Sequence, residues 1–245
     1  MSGHSKWATT KRKKAVIDAK RGKIFTKLIK EITVAARSGG GDVAGNPRLR
    51  LAIDNAKAAN MPQDNIERAI KKATGELEGV TYKELMYEGY APGGVAILVE
   101  VATDNKNRTV AEVRHIFSKA GGSMGETGSV AWMFEHKGVI TMPVQGKTEE
   151  EILELVMDDG AEDLEIEEEF IEVVTPVEAF ENVRKKLIDS GLEIENASLQ
   201  WIAKNSVKVE GESSEKVVNL IEALEDNDDV QNVYSNADFE EVEQI

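Results

Sequence analysis

Apolar residues recur at helical spacing along the first third of the chain. Ile24, Phe25, Leu28, Ile29, Ile32, Ala35 and Ala36 lie on one stripe, and Ser38-Gly39-Gly40-Gly41 interrupts it. Asn46-Pro47 opens a second stripe of Leu49, Ile53 and Ala56, since Asn can cap a helix and Pro fits its first turn. After a turn at Asn60-Met61-Pro62, Ile66, Ala69, Ile70 and Ala73 make a third stripe, which Gly75 ends. The spacing predicts a three-helix unit over 23–75 and a hinge between Thr74 and Gly79. Residues 1–22 carry no sustained apolar stripe and are expected to form a mobile arm.

Beyond the hinge the period changes from helical to alternating. Tyr87 and Gly89 precede a turn at Ala91-Pro92-Gly93-Gly94, after which Val95, Ile97, Val99 and Val101 share one strand face. Val110, Val113, Phe117 and Ala120 then mark a helix closed by Gly121-Gly122. Val130, Trp132 and Phe134 alternate in VAWMFE, which predicts another strand and a β-β-α-β order. From Lys137 the pattern reads as strand (GVITM), helix (Glu149 to Asp159, with Ile152, Leu155 and Val156 inward), and two short strands turning near Glu168. A helix opened by Pro176 and carrying Val177, Phe180, Val183 and Leu187 follows, then a strand from Leu192 to Ala203. That β-α-β-β-α-β order is ferredoxin-like. The tail (a strand at 206–209, a helix with Val217, Leu220, Ile221 and Leu224, a strand at 230–234) is too small to bury its own core. It supplies the α-β that the earlier β-β-α-β lacks. The expected fold is therefore α+β: a basic arm and helical unit over 1–79, a discontinuous domain over 80–136 plus 206–240, and an inserted ferredoxin-like domain over 137–205.

Charge sharpens this division. The 245 residues carry a net charge of -15, yet residues 1–72 hold 17 lysines and arginines against 6 acids, which leaves 13 against 39 for the remainder. Such asymmetry points to a basic segment that meets a polyanion and an acidic body that does not. The candidate nucleic-acid-binding residues are Lys6, Trp7, Lys11, Arg12, Lys13, Lys14, Lys20 and Arg21 on the arm. On the first two helices they are Lys23, Lys27, Lys30, Arg37, Arg48, Arg50 and Lys57. Duplex nucleic acid presents about one charge per 1.7 Å, so dispersed lysines suit phosphate tracking better than base reading. Trp7 is placed to stack on a base or to dock on the helical unit.

Other chemistry finds little support. The chain has no cysteine, so disulfides and thiolate chemistry are excluded. No apolar run is long enough for a transmembrane helix, and the basic N-terminus lacks the apolar stretch of a secretory signal. The glycine-rich run Gly121 to Gly128 leads from a helix into a strand, the reverse of a phosphate loop. The acids from Glu162 to Glu169 alternate with Leu164 and Ile166 as a solvated strand face, and Asp226-Asn227-Asp228-Asp229 lacks the features of a calcium loop. His4, His115 and His136 are scattered. No catalytic residue, metal site, cofactor or small-molecule substrate is expected, and the location expected is intracellular. The segment Thr103-Asp104-Asn105-Lys106-Asn107-Arg108-Thr109 reads as a helix start capped by Asp104 or Asn107.

Several stretches together resemble the YebC/PmpR family, which includes the mitochondrial translational activator of cytochrome oxidase subunit I. They are Gly3-His4-Ser5-Lys6-Trp7, Arg21-Gly22-Lys23 through Lys30-Glu31-Ile32, Asn46-Pro47-Arg48-Leu49-Arg50 and Ala59-Asn60-Met61-Pro62. Tyr87-Glu88-Gly89-Tyr90, Thr103-Asp104-Asn105 with Asn107-Arg108-Thr109, and Gly121-Gly122 through Gly128 complete the pattern. The chain departs from it at Gly41-Asp42-Val43, where an Asp-Pro pair is expected. The resemblance implies a cytoplasmic, non-enzymatic, three-domain regulator of gene expression. Bacterial members are described as DNA-binding transcriptional regulators. Others are similar to ribosome-associated factors that contact ribosomal RNA and help translation through stalling stretches.

Overall fold

The computed structural model of the chain describes residues 18–144, 146–166 and 170–239, the side chains of 18–21 and of Glu149 excepted. Most of the expected arm, residues 1–17, lies outside the described residues. The first helix, α1 (Asp18–Gly39), is under way four residues before Gly22, in a run of good helix formers. It packs with α2 (Pro47–Ala58) and α3 (Gln63–Thr74) around Ile32, Leu49, Ala52, Ala56 and Ile66. Ile24 stays 40% exposed and does not join that core. Buried Asn46 ties two helix ends together. Its Oδ1 accepts from the Leu49 N–H at the start of α2, while its Nδ2 donates to the Ala35 and Gly40 carbonyls at the end of α1. Gly75 ends α3 in the left-handed conformation (φ 87°) that favours glycine.

β1 (Lys83–Tyr90) and β2 (Ala96–Thr103) form an antiparallel pair, and α4 (Lys106–Lys119) follows. The third strand of this sheet is the short β3 (Ser123–Met124) inside the glycine-rich run, pairing with Gly89 and Tyr90. Expected strand VAWMFE does not form. Ala131–Met133 is a 3-10 turn, and Trp132 is 64% exposed. The cause is Glu88, a buried β1 carboxylate that accepts from the backbone N–H groups of Gly128, Val130 and Ala131. Those donors are spent on one side chain and cannot enter a ladder. Phe134 instead starts β4 (Phe134–Pro143), one unbroken strand that absorbs the expected GVITM.

After β4 come α5 (Glu149–Val156), β5 (Asp163–Ile166), β6 (Phe170–Pro176), α6 (Phe180–Asp189) and β7 (Asn196–Ala203). Thr148 and Glu151 cap α5 reciprocally. Pro176 closes β6 and does not open α6. A turn, with the Ala179 N–H donating to the Pro176 carbonyl, lies between them and leaves Val177 exposed. The strands align antiparallel in the order β5-β6-β4-β7, the ferredoxin-like arrangement. Gly138 in β4 leaves the space that Phe180 fills, since a Cβ there would lie 2.3 Å from its ring.

β8 (Val207–Val209), α7 (Gly211–Glu225), β9 (Val230–Ser235) and β10 (Ala237–Phe239) return the chain to the first sheet. β9 pairs with β2, giving the order β3-β1-β2-β9, while β8 and β10 pair separately. Val113 and Phe117 of α4 share one core with Val217, Leu220, Ile221 and Val230 of the tail. β2 is buried on both faces: Ile97 and Val99 face that core, whereas Ala96 and Leu98, with Tyr234 beside Leu98 on β9, face Phe134 and Trp201. Glu100 accepts across that seam from Trp201 Nε1 at 3.0 Å, and within its own sheet from Asn232 Nδ2 and Tyr234 OH at 2.9 and 3.0 Å. Among the described residues no helix is long and apolar enough to cross a membrane.

Burial raises the pKa of the Glu88 carboxyl, but its three backbone donors outweigh this and hold it below the usual value. Glu88→Ala is expected to leave the buried Val130 N–H unpaired, at roughly 1–3 kcal/mol, and to release the part-buried N–H groups of Gly128 and Ala131. Urea unfolding should show the loss, and hydrogen exchange at Gly128, Val130 and Ala131 should accelerate.

Candidate nucleic-acid interface

Lys23, Lys27 and Lys30 recur at i, i+4 and i+7 on α1 and share one face, as their spacing requires. That face meets the end of α7, whose last turn has no basic residue of its own. Lys23 Nζ donates to the Asp226 carbonyl and carboxylate, both at 3.1 Å. Lys27 Nζ donates to the Glu225 carbonyl at 3.1 Å and to that of Gln231 at 3.5 Å. Lys30, only 6% exposed, donates to the Ala102 and Asp228 carbonyls and to the Asp229 carboxylate at 3.1, 2.7 and 2.8 Å. It also lies 5.2 Å from the centre of the Tyr82 ring. The three lysines satisfy the carbonyl-rich, electronegative end of α7 from another part of the chain. In this arrangement Lys30 is a docking residue and not part of an open phosphate track, which corrects its expected place.

Asp229 is the centre of this junction. Besides Lys30 it accepts from Arg108 at 2.6 Å, Thr109 Oγ1 at 2.7 Å and Thr103 Oγ1 at 3.1 Å. The curious Thr103–Thr109 corner therefore builds a carboxylate cradle. Its helix cap is Asn105, which accepts from the Arg108 N–H; Asp104 instead pairs with the Arg108 side chain. Burial raises the pKa of the Asp229 carboxyl, but Arg108, Lys30 and Thr109 overcome that and hold it well below the usual carboxylate range.

The other candidates divide. Lys6, Trp7, Lys11, Arg12, Lys13 and Lys14 lie outside the described residues, as do the side chains of Lys20 and Arg21. Arg48 bridges Glu31 (2.8 Å) and Glu84, fastening α2 to α1 and β1, and those carboxylates raise its pKa despite opposing burial. Arg50 donates to the Ala44 carbonyl, and exposed Arg37 donates to Thr81 Oγ1. Lys57 is exposed at the end of α2. Sequence reasoning passed over Arg68, Lys71 and Lys72, which are exposed on the outer face of α3. Their i, i+3, i+4 spacing opposite Ile66, Ala69 and Ala73 was the available signal. Among the described residues none of these four cationic groups has a carboxylate partner.

Because the Asp229 carboxylate ionises more readily folded than unfolded, the stability it contributes is present above about pH 4 and is lost as pH falls below that value. Asp229→Asn should cost roughly 3–5 kcal/mol at neutral pH, since two cations lose a buried counter-charge. It should also show a shallower acid-side loss than the wild type, measured by urea unfolding at neutral pH and near pH 3.

Comparison with known proteins matches this architecture over nearly its whole length. The family profile described as "TACO1/YebC protein N-terminal domain" matches residues 5–76, and that of the "TACO1/YebC second and third domain" matches 82–237. Proteins named "Probable transcriptional regulatory protein" in Chlorobaculum tepidum and Pelodictyon phaeoclathratiforme are each 57% identical over 242 residues. Those alignments cover 98% of this chain and 96% and 97% of the relatives. The crystal structure of a conserved hypothetical protein from Aquifex aeolicus superposes with a TM-score of 0.86 at 49% identity, covering 94% of this chain and 96% of that one. With both family profiles matched in order and these relatives aligned nearly end to end, the chain belongs to the TACO1/YebC family of regulatory proteins.

Proposed function

We propose that this protein is a nucleic-acid-binding regulator of gene expression that grips the phosphate backbone through residues 1–79. In this reading 80–136 with 206–240, and the inserted 137–205, form an acidic body held away from the polyanion. The observation that carries it is the exposure of Lys57, Arg68, Lys71 and Lys72 without carboxylate partners among the described residues, on a chain of net charge -15. Cations that neutralise phosphates release condensed counterions, which provides affinity without sequence choice. The arm residues Lys11, Arg12, Lys13 and Lys14 extend the same charge along the chain. The relatives' name favours DNA as the target and transcription as the process. Ribosomal RNA is the second reading, favoured by the character of the exposed set: point cations spread over two helices track backbone shape, which an RNA fold offers as readily as a duplex.

Charge reversal tests the reading. Arg68, Lys71 and Lys72 changed together to Glu, or Lys11, Arg12, Lys13 and Lys14 changed together to Glu, should sharply weaken polyanion binding in a fluorescence titration while thermal unfolding stays near the wild-type value. Wild-type affinity should fall with a log–log salt slope of about -0.9 for each duplex phosphate neutralised, and a flat response would refute it. Retention on one promoter fragment over random duplex would select transcription. RNase-sensitive cosedimentation with ribosomal particles would select translation.

A further inference from the structure

We infer that the Glu225–Asp229 turn is an internal phosphate mimic, an autoinhibitory contact that covers part of the basic surface until a polyanion displaces it. The inference rests on the phosphate-gripping reading above and adds its regulation. Lys23, Lys27 and Lys30 all end on the oxygens of one short segment: the Glu225, Asp226 and Asp228 carbonyls and the Asp226 and Asp229 carboxylates. A nucleic-acid backbone would offer a comparable row of acceptors: here two carboxylates and three carbonyl oxygens at the electronegative end of α7 face a lysine row.

The seam is polar in a way that suits release. The helical unit closes its core on itself, from Ile32 to Ala73, and the core under the first sheet includes no described residue before Leu85. Among the described residues of the helical unit, only Leu51 joins another hydrophobic cluster, that of the inserted domain. The described ties to the body are otherwise polar: the lysine row, Arg37 to Thr81, Arg48 to Glu84, Arg184 to Asp54 (3.0 Å), and Asn55 to the Ala197 carbonyl. An interface of this composition permits relative motion of the units it joins. Its outer edge, Lys23 with Asp226, is open to solvent at 44% and 71% exposure and is subject to salt screening.

The inner edge is built to exchange partners. When Lys30 leaves, Asp229 keeps Arg108, Thr103 and Thr109, so its buried charge remains compensated. Lys30 in turn gains phosphate oxygens for the ones it gives up. Opening therefore swaps carbonyl and carboxylate acceptors for phosphate oxygens, and polyanion concentration decides the balance.

The absence of native cysteine allows a direct test. Lys23→Cys and Asp226→Cys in the full-length chain are joined by a short bis-maleimide containing a reducible disulfide. Binding to random duplex DNA and to ribosomal RNA is then titrated before and after reduction. The joined form should bind more weakly, its log–log salt slope smaller by about 2, near 0.9 for each of Lys27 and Lys30, and reduction should restore both. Equal affinity and slope in the two forms would overturn the latch while leaving the phosphate-gripping reading intact. If neither the wild type nor the reduced variant bound either polyanion, both would fall.

Discussion

The junction of Lys30 with Asp229 is the constraint that the rest of the structure answers to. Removing two charges from water costs several kcal/mol per ion, so such a pair persists only where every remaining donor and acceptor is met. Here the ammonium spends its three donors on two carbonyls and the carboxylate. The carboxylate accepts from a lysine, an arginine and two hydroxyls contributed by α1, β2 and α4. Few other positions of α1 relative to the body would satisfy all of them. The pair therefore specifies one docking geometry more than it adds net stability.

Charge separation along the chain serves two ends through that geometry. Basic helices and an acidic body attract one another, so part of the excess charge is neutralised internally at the lysine row and at Arg48. Lys57 on α2 and Arg68, Lys71 and Lys72 on α3 stay exposed, without carboxylate partners among the described residues. The apolar cores stay within their own units, apart from Leu51 and the seam where Ala96, Leu98 and Tyr234 of the first sheet meet Phe134 and Trp201 of the second. The first and second sheets are thus bonded by apolar burial, whereas the helical unit is attached mainly by charge and hydrogen bonds. The two attachments differ in their response to salt, because screening weakens exposed ion pairs and leaves apolar burial little changed.

Helical and strand periods were legible wherever one face of an element meets one core. The stripes of α2 and α3, the Asn46-Pro47 entry, the Gly75 stop and the Val95 to Val101 face all follow from local pattern. Reading failed where a distant group intervened. Val130, Trp132 and Phe134 alternate as a strand would, yet Glu88 takes the backbone donors the ladder needs. Lys30 reads as one more member of a solvent-facing stripe, because nothing in its neighbourhood along the chain signals Asp229, 199 residues away.

By itself the sequence determined the separation of charge, the α+β class and the helical unit, since each depends on periodicity and composition within a few turns of chain. Only the tertiary structure decided which cations remain open to solvent and which are consumed within the molecule. A lysine has the same intrinsic charge everywhere. Whether it faces water or a buried carboxylate depends on groups brought together from far along the chain, and local pattern carries no record of them.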